Sequence, residues 1–236
     1  MRDNTYSFLF AVIVCFVCSL SLSIVSQGLK SRQIRNEELD MKRNVLKAVK
    51  LADPIVSKAS GSDILKLYAD KIKEIVVGSD GNIVEGKTPA DIESGSKEAY
   101  PLFIYSEEGK ARAYCFPISG KGLWSTIYGY MALEPDAATV RGVTFYKHGE
   151  TPGLGAEVEK EWFQNNFRGK KIYDKGALVS IVVVKGKVLD KYSPDAAWHY
   201  VDGISGASMT CKGVTAFVKR DLEKYDPFLR KVRKSS

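Results

Sequence analysis

The chain of 236 residues is long enough for one large domain or two small ones, and its 44% hydrophobic and 27% charged content is that of a globular domain that buries a core. Its net charge of +7 is spread along the chain and thickens at residues 30–50 and in the tail "FLRKVRK". No aromatic-basic groove pattern or zinc-finger spacing accompanies it, which argues against a nucleic-acid partner and favours acidic lipid or an acidic protein.

Residues Tyr6 to Val25, "YSFLFAVIVCFVCSLSLSIV", carry no charge. At ~1.5 Å per helical residue such a run spans ~30 Å, the thickness of a bilayer core. A cleaved signal peptide is the alternative. The apolar run is longer than a usual signal core, however, and no A-x-A site follows. Neither Cys15 nor Cys18 sits in a lipoprotein site. A retained membrane anchor is therefore expected. Lys30, Arg32, Arg35, Lys42 and Arg43 follow it and only Arg2 precedes it, so local charge would keep the following domain in the cytoplasm. Long domains translocate largely regardless of that rule, and the charges leave orientation open. Cys15 and Cys18 form a C-x-x-C inside the apolar run, the wrong context for a zinc or thioredoxin site. Cys115 and Cys211 are far apart in sequence and can pair only if folding brings them together.

After the anchor, Ile34, Leu39, Val45, Leu46 and Val49 among charges predict a continuing helix, ended by Pro54. "SDILKLYADKIKEIVV" begins with a Ser–Asp cap, continues at helical spacing, and turns strand-like at Ile75–Val77. "GSDGN" reads as a turn and residues 85–99 as an exposed polar loop. From Tyr100 the texture changes. "PLFIYSEEGKARAYCFPI" predicts a hairpin turning at "EEGK", and "TVRGVTFYKHGE" another strand. "EVEKEWFQNNF" predicts a helix with Val158, Trp162 and Phe163 on one face, and "ALVSIVVVKG" an apolar strand. A short helix over "SPDAAWHYV" and a terminal one from Cys211 complete the order. Such mixing favours one α+β domain over a doubly wound sheet.

Two enzyme readings fit poorly. "GNIVEGKT", Gly81 to Thr88, matches the phosphate-loop pattern, but Pro89 follows at once and no apolar helix packs behind it. "GISGA" around Ser205 nearly matches a hydrolase elbow, with Ala207 in place of the last glycine. The two histidines, His148 and His199, are too few for a catalytic zinc site, and His199 lies in an aromatic patch.

Three stretches suit a planar, phosphate-bearing ligand. In "KHGETPGLGAE", Pro152, Gly153 and Gly155 make a loop that a ligand can approach closely, beside Glu150 and Thr151, with Leu154 as an apolar contact. A plain strand–helix turn is the alternative. In "GKGLWSTIYGYMAL", glycines frame Leu123 and Trp124, with Ser125 and Thr126 adding hydroxyls; core packing is the alternative. In "VDGISGASMTCKGV", small residues precede a helix whose N-terminus attracts anions, and Ser205, Ser208 and Thr210 lie near Asp202. Read alone, that stretch favours an N-cap for the terminal helix.

Taken in order, the single anchor, "GKGLWSTIYGYMAL", "HGETPGLGAE", "DGISGAS" and "DPFLRKVRK" resemble the C-subunit family of the Na+-translocating NADH:quinone reductase. The G subunit of the Rnf complex shares the attachment motif, but the "GLWSTIYGYMAL" stretch matches the former. An anchored module without cofactor is the remaining alternative. The resemblance implies covalent FMN, placed by a flavin transferase on the hydroxyl that follows Asp202, Gly203, Ile204, Ser205, Gly206 and Ala207. That residue is Ser208, where the family commonly has threonine; Thr210 is the fallback. It also implies residues 1–28 as a cytoplasmic stub and transmembrane helix. Residues 29–99 become a connector and the start of a periplasmic domain on a bacterial inner membrane, and 100–236 the FMN-binding part. Expected partners are the bilayer and the rest of the reductase: its B, D and E subunits, and also its A and F subunits. Electrons would pass from an iron–sulfur centre to the FMN of the B subunit. Leu123, Trp124, Thr151 and Leu154 are the expected surroundings of the ring.

Overall fold

A computed structural model describes residues 2–49, 59–92 and 96–235. The chain divides into two compact units, Met1–Met41 and Lys42–Ser236. The first is helical throughout. Helix α1 (Arg2–Ala48) contains a stretch long and apolar enough to cross a membrane, none of it buried within the protein. Cys15 and Cys18 are exposed on it as free thiols. The expected stop at Pro54 lies outside the described residues.

The second unit is built on a five-stranded antiparallel meander in sequence order. Helix α2 (Gly61–Lys71) leads directly into β1 (Ile72–Gly78). Its cap is Ser60 rather than Ser62, with the Ser60 hydroxyl accepting from the Asp63 N–H at 3.3 Å. Strands β2 (Ala99–Glu107) and β3 (Lys110–Lys121) form the expected hairpin, turned by Glu108 and Gly109, both at positive φ. Strands β4 (Thr126–Leu133) and β5 (Val140–Lys147) complete the sheet.

The expected helix over residues 157–167 is broken. A 3-10 turn at Gly155–Glu159 precedes a five-residue α3 (Glu161–Asn165). Val158 and Phe163 are buried as expected, whereas Trp162 is exposed and donates its indole N–H to Glu157 at 3.1 Å. "ALVSIVVVKG" is not one strand. It gives β7 (Ala177–Leu178), paired with β6 (Tyr173–Asp174), and β8 (Val182–Val183), paired in parallel with β9 (Tyr200–Val201). Between β7 and β8 sits Ser180, at φ +67. Helix α4 (Ser208–Ser235) closes the chain and starts three residues earlier than the apolar pattern suggested.

Every second residue of β3 meets α4. Tyr114 packs edge-on to Phe228, and Phe116 stacks on Tyr225 at 4.4 Å. Gly120 makes room for Phe217, whose Cβ lies 2.3 Å from where a Gly120 side chain would begin. Gly213 admits the Lys121 carbonyl as closely. The opposite face is covered by Ile64 and Tyr68 of α2 and by Val45, Leu46 and Val49 at the end of α1, all buried. Tyr68 donates to Glu74 there at 2.8 Å, and Arg141 Nε donates to the Val49 carbonyl.

The sheet has one seam. Pairing of β2 with β3 ends at Phe103↔Cys115. Continued, the register would set Pro101 opposite Pro117, and neither has an N–H to exchange. Side chains of α4 supply the missing partners. Asp221 accepts from the Ser119 N–H at 2.8 Å, Arg220 donates to the Ser119 carbonyl, and Tyr225 donates to the Pro101 carbonyl at 2.8 Å. A cavity of about 520 Å³ opens along this seam, lined among others by Tyr100, Tyr128 and Thr126.

Asp221 is only 2% exposed and also receives Lys224 at 2.7 Å. Its removal leaves the half-buried Ser119 N–H without its acceptor. Asp221→Ala is expected to lower unfolding stability by about 2 kcal/mol, read by urea titration of the detergent-solubilised chain. A change below about 0.5 kcal/mol would show that the seam does not depend on it.

Candidate functional site

The three stretches singled out by sequence come together around one carboxylate. Glu150 follows β5 and is 6% exposed. One of its oxygens, Oε1, accepts the N–H groups of Trp124 at 2.9 Å and Ser125 at 3.1 Å. The other, Oε2, accepts the Leu123 N–H at 3.1 Å and the Thr210 hydroxyl at 2.7 Å. Burial alone would raise the Glu150 pKa, but the bonds from Thr210, Trp124, Ser125 and Leu123 outweigh it and hold the carboxyl below its ordinary value. Glycines flank it closely. A Cβ on Gly122 would stand 2.6 Å from Oε1, and one on Gly155 would stand 2.7 Å from both Oε2 and the Thr210 hydroxyl oxygen.

The turn from Gly122 to Ser125 joins β3 to β4 and is closed by a Gly122 N–H to Ser125 carbonyl bond of 2.8 Å. Its side chains face outward: Trp124 is 69% exposed, and Leu123 is exposed too. The Ser125 hydroxyl accepts from the Gly149 N–H at 2.6 Å, fastening the turn to the approach of Glu150. Thr126 begins β4 and faces the seam cavity. In the next loop the Thr151 carbonyl accepts from the N–H groups of Leu154 and Ala156, both at 3.1 Å. Gly153 takes φ +75 with open space at its Cβ position, and Leu154 is exposed beside it. Leu154 Cδ2 would lie 2.7 Å from a Cβ on Gly206, so this loop reaches the "DGISGAS" stretch.

Within the motif the residues divide by burial. Asp202 accepts from the Val188 N–H at 2.8 Å and from Lys187 Nζ at 2.9 Å. Its pKa is lowered because those bonds outweigh burial. Gly203 fits tightly against the Val184 carbonyl. Ile204 and Ala207 are buried. Ser205 and Gly206 form an exposed turn, with Gly206 at φ +74. Ser208 is exposed and is the first residue of α4. Thr210 is 1% exposed, and its hydroxyl is committed to Glu150. The fold thus separates two hydroxyls that look alike in sequence: Ser208 faces out, and Thr210 belongs to the scaffold.

Two further residues join the site without a sequence signal. Met209 is 55% exposed beside Ser208. His148 Nδ1 accepts the Glu150 N–H at 3.3 Å, and its Nε2 lies 3.3 Å from Glu159, an ion-pair distance without hydrogen-bond alignment. The competing motifs have structural explanations. Thr88 caps a three-residue 3-10 turn through Asp91, with no long helix to receive phosphate. His199 Nδ1 lies 2.6 Å from the Lys171 carbonyl. Cys115 and Cys211 are buried free thiols, both with pKa raised by burial.

The chain matches the FMN-binding domain family over residues 122–223, which holds all three stretches. It is 35% identical to the C subunit of the Na(+)-translocating NADH-quinone reductase of Pseudomonas aeruginosa, covering 99% of this chain and 97% of that protein. Against the corresponding Yersinia pestis protein it is 32% identical over 97% and 92%. The solved C subunit from Parabacteroides distasonis superposes with a TM-score of 0.74 at 35% identity, covering 85% of this chain and 96% of that one. Shewanella oneidensis NqrC gives 0.70 at 28% identity, over 86% and 98%. An apolar N-terminal helix, an antiparallel sheet closed by a long helix and a match to the FMN-binding domain family are thus joined to full-length similarity, and the chain belongs to the C-subunit family of the Na+-translocating NADH-quinone reductases.

Proposed function

We propose that the chain carries FMN by a phosphoester to Ser208 and passes electrons within a membrane-bound NADH-quinone reductase. The observation that carries this reading is an exposed hydroxyl at the start of a 28-residue helix, with the exposed apolar side chains of Leu123, Trp124, Leu154 and Met209 on the elements tied to that start. The first N–H groups of a helix have no acceptor within it, and its dipole favours negative charge, which suits a phosphate held there. Gly206 turns the backbone into the helix without steric cost. Apolar side chains at Leu123, Trp124 and Leu154 suit the faces of a flat ring. Bound FMN supplies one- and two-electron transfer. The chain's own contribution is to hold the phosphate, flank the ring and leave one side open to partners.

Attachment requires an outside flavin transferase. The Ser208 oxygen forms a bond to the FMN phosphorus of FAD, the pyrophosphate linkage breaks, AMP leaves, and the hydroxyl proton is released. A primary alcohol serves as well as the threonine common in the family. In the assembled reductase, FMN held at Ser208 would relay electrons from an iron–sulfur centre between membrane subunits to the FMN of the B subunit, with the A, D, E and F subunits as the remaining partners. α1 anchors the chain in the inner membrane, and the second unit lies on the periplasmic side. Sodium transport and quinone reduction belong to the whole assembly, as the names of the relatives state.

Co-expressed with its transferase, the chain is expected to give a flavin-fluorescent band on a denaturing gel. Ser208→Ala should abolish that band, and Thr210→Ala should keep it. A fluorescent Ser208→Ala band would overturn the assignment, and a peptide mass over residues 201–220 would locate the true acceptor. For topology, protease added to intact spheroplasts is expected to digest the region after residue 60. Protection until lysis would place it in the cytoplasm.

A further inference from the structure

We propose that Glu150 is a positioning residue for the flavin ring, acting through the backbone of the Gly122–Ser125 turn and not by touching the cofactor. The inference rests on the reading of Ser208 as the attachment point and concerns what sets the ring's surroundings relative to it.

Three observations carry it. First, four donors converge on the Glu150 carboxylate, three from the turn and one from Thr210, two residues beyond Ser208 on α4. A single side chain therefore fixes the turn bearing Leu123 and Trp124 to the helix end bearing Ser208. Second, the carboxylate is enclosed. Glu150 is 6% exposed, and Gly122 and Gly155 lie so close to its carboxylate that neither could carry a Cβ without a shift. Third, the turn is exposed and carries large apolar side chains, a place where backbone N–H groups would ordinarily be solvated. Here all three N–H groups are withdrawn from solvent and from any ligand.

That withdrawal gives the turn a polarity. No cis peptide is present among the described residues, and in a trans peptide the C=O points opposite to the N–H. The carbonyls of Gly122, Leu123 and Trp124 therefore point away from the carboxylate. The turn's backbone offers acceptors on its outer side, suited to a ring N–H, and no N–H donors from Leu123, Trp124 or Ser125 for phosphate or ring oxygens. Phosphate binding falls to the start of α4, and the turn serves the ring alone. The buried negative charge of Glu150 opposes charge added to the ring on reduction.

The test is amide hydrogen exchange on the full chain in detergent, with visible circular dichroism and midpoint potential normalised to bound flavin. In the wild type, the amides of Leu123, Trp124 and Ser125 should exchange slowly despite the exposed side chains. Glu150→Gln keeps the shape but replaces one acceptor oxygen with an NH2 group. It should speed these amides at least tenfold, weaken the flavin dichroism and make the potential more positive. Thr210→Val, a milder variant, should move exchange and dichroism in the same direction by less, and it keeps the question decidable should Glu150→Gln fail to fold. Unchanged exchange at residues 123–125 in both variants overturns the proposal. Faster exchange with unchanged dichroism and potential overturns it too, since Glu150 would then be purely structural. A wild-type chain without flavin would sink the Ser208 reading separately, through the gel and not through exchange.

Discussion

One buried carboxylate with four donors organises the functional end of this protein. Glu150 sits where a hairpin turn, the loop after β5 and the first turn of α4 meet, and each contributes a group that would otherwise be left unpaired. An isolated buried charge is costly, but one that receives four hydrogen bonds becomes a fixed point to which separate segments are tied. The nearby glycines follow from it, because any side chain at 122 or 155 would displace the carboxylate or its partners. The exposure of Ser208, the burial of Thr210 and the outward stance of Trp124 are consequences of the same arrangement.

A division of labour follows. The polar groups around Glu150 are spent inward, on holding the segments together, and the apolar side chains of Leu123, Trp124, Leu154 and Met209 face outward beside the exposed residues Thr126, Thr151, Ser205 and Ser208. A carrier that must exchange electrons with neighbours needs its cofactor near the surface, and under the proposed attachment at Ser208 a surface made of Leu123, Trp124, Leu154 and Met209 would cover a ring without enclosing it. A covalent tether suits such an open site, since the surroundings need not supply the whole affinity.

Much of this was legible in the chain itself. The apolar run, the α2–β1 junction, the β2–β3 hairpin and the terminal helix all announced themselves through periodicity and turn residues, because local propensity and tertiary packing agree there. The region after β5 was harder. "ALVSIVVVKG" has strand composition throughout, yet Ser180 breaks it at a positive φ, which no propensity for serine would suggest. "EVEKEWFQNNF" has helical spacing, but a 3-10 turn takes up its first half. At the site, order and spacing singled out three stretches that the fold brings together around Glu150. They could not tell Ser208 from Thr210, because the difference lies in which hydroxyl meets a glutamate 60 residues away.

The seam between β2 and β3 has a consequence for how the molecule is made. Pro101 and Pro117 leave two strands that cannot join at one end, and what bridges them is borrowed from residues 220–225, with bonds across 102 and 124 positions of chain. A growing polypeptide can form both strands yet cannot complete the sheet until its last helix has emerged. That helix also begins with Ser208. Closure of the sheet and placement of that exposed hydroxyl at a helix start are therefore one late event, and a nascent or truncated chain lacking residues after about 200 would have neither a finished sheet nor the acceptor proposed for flavin.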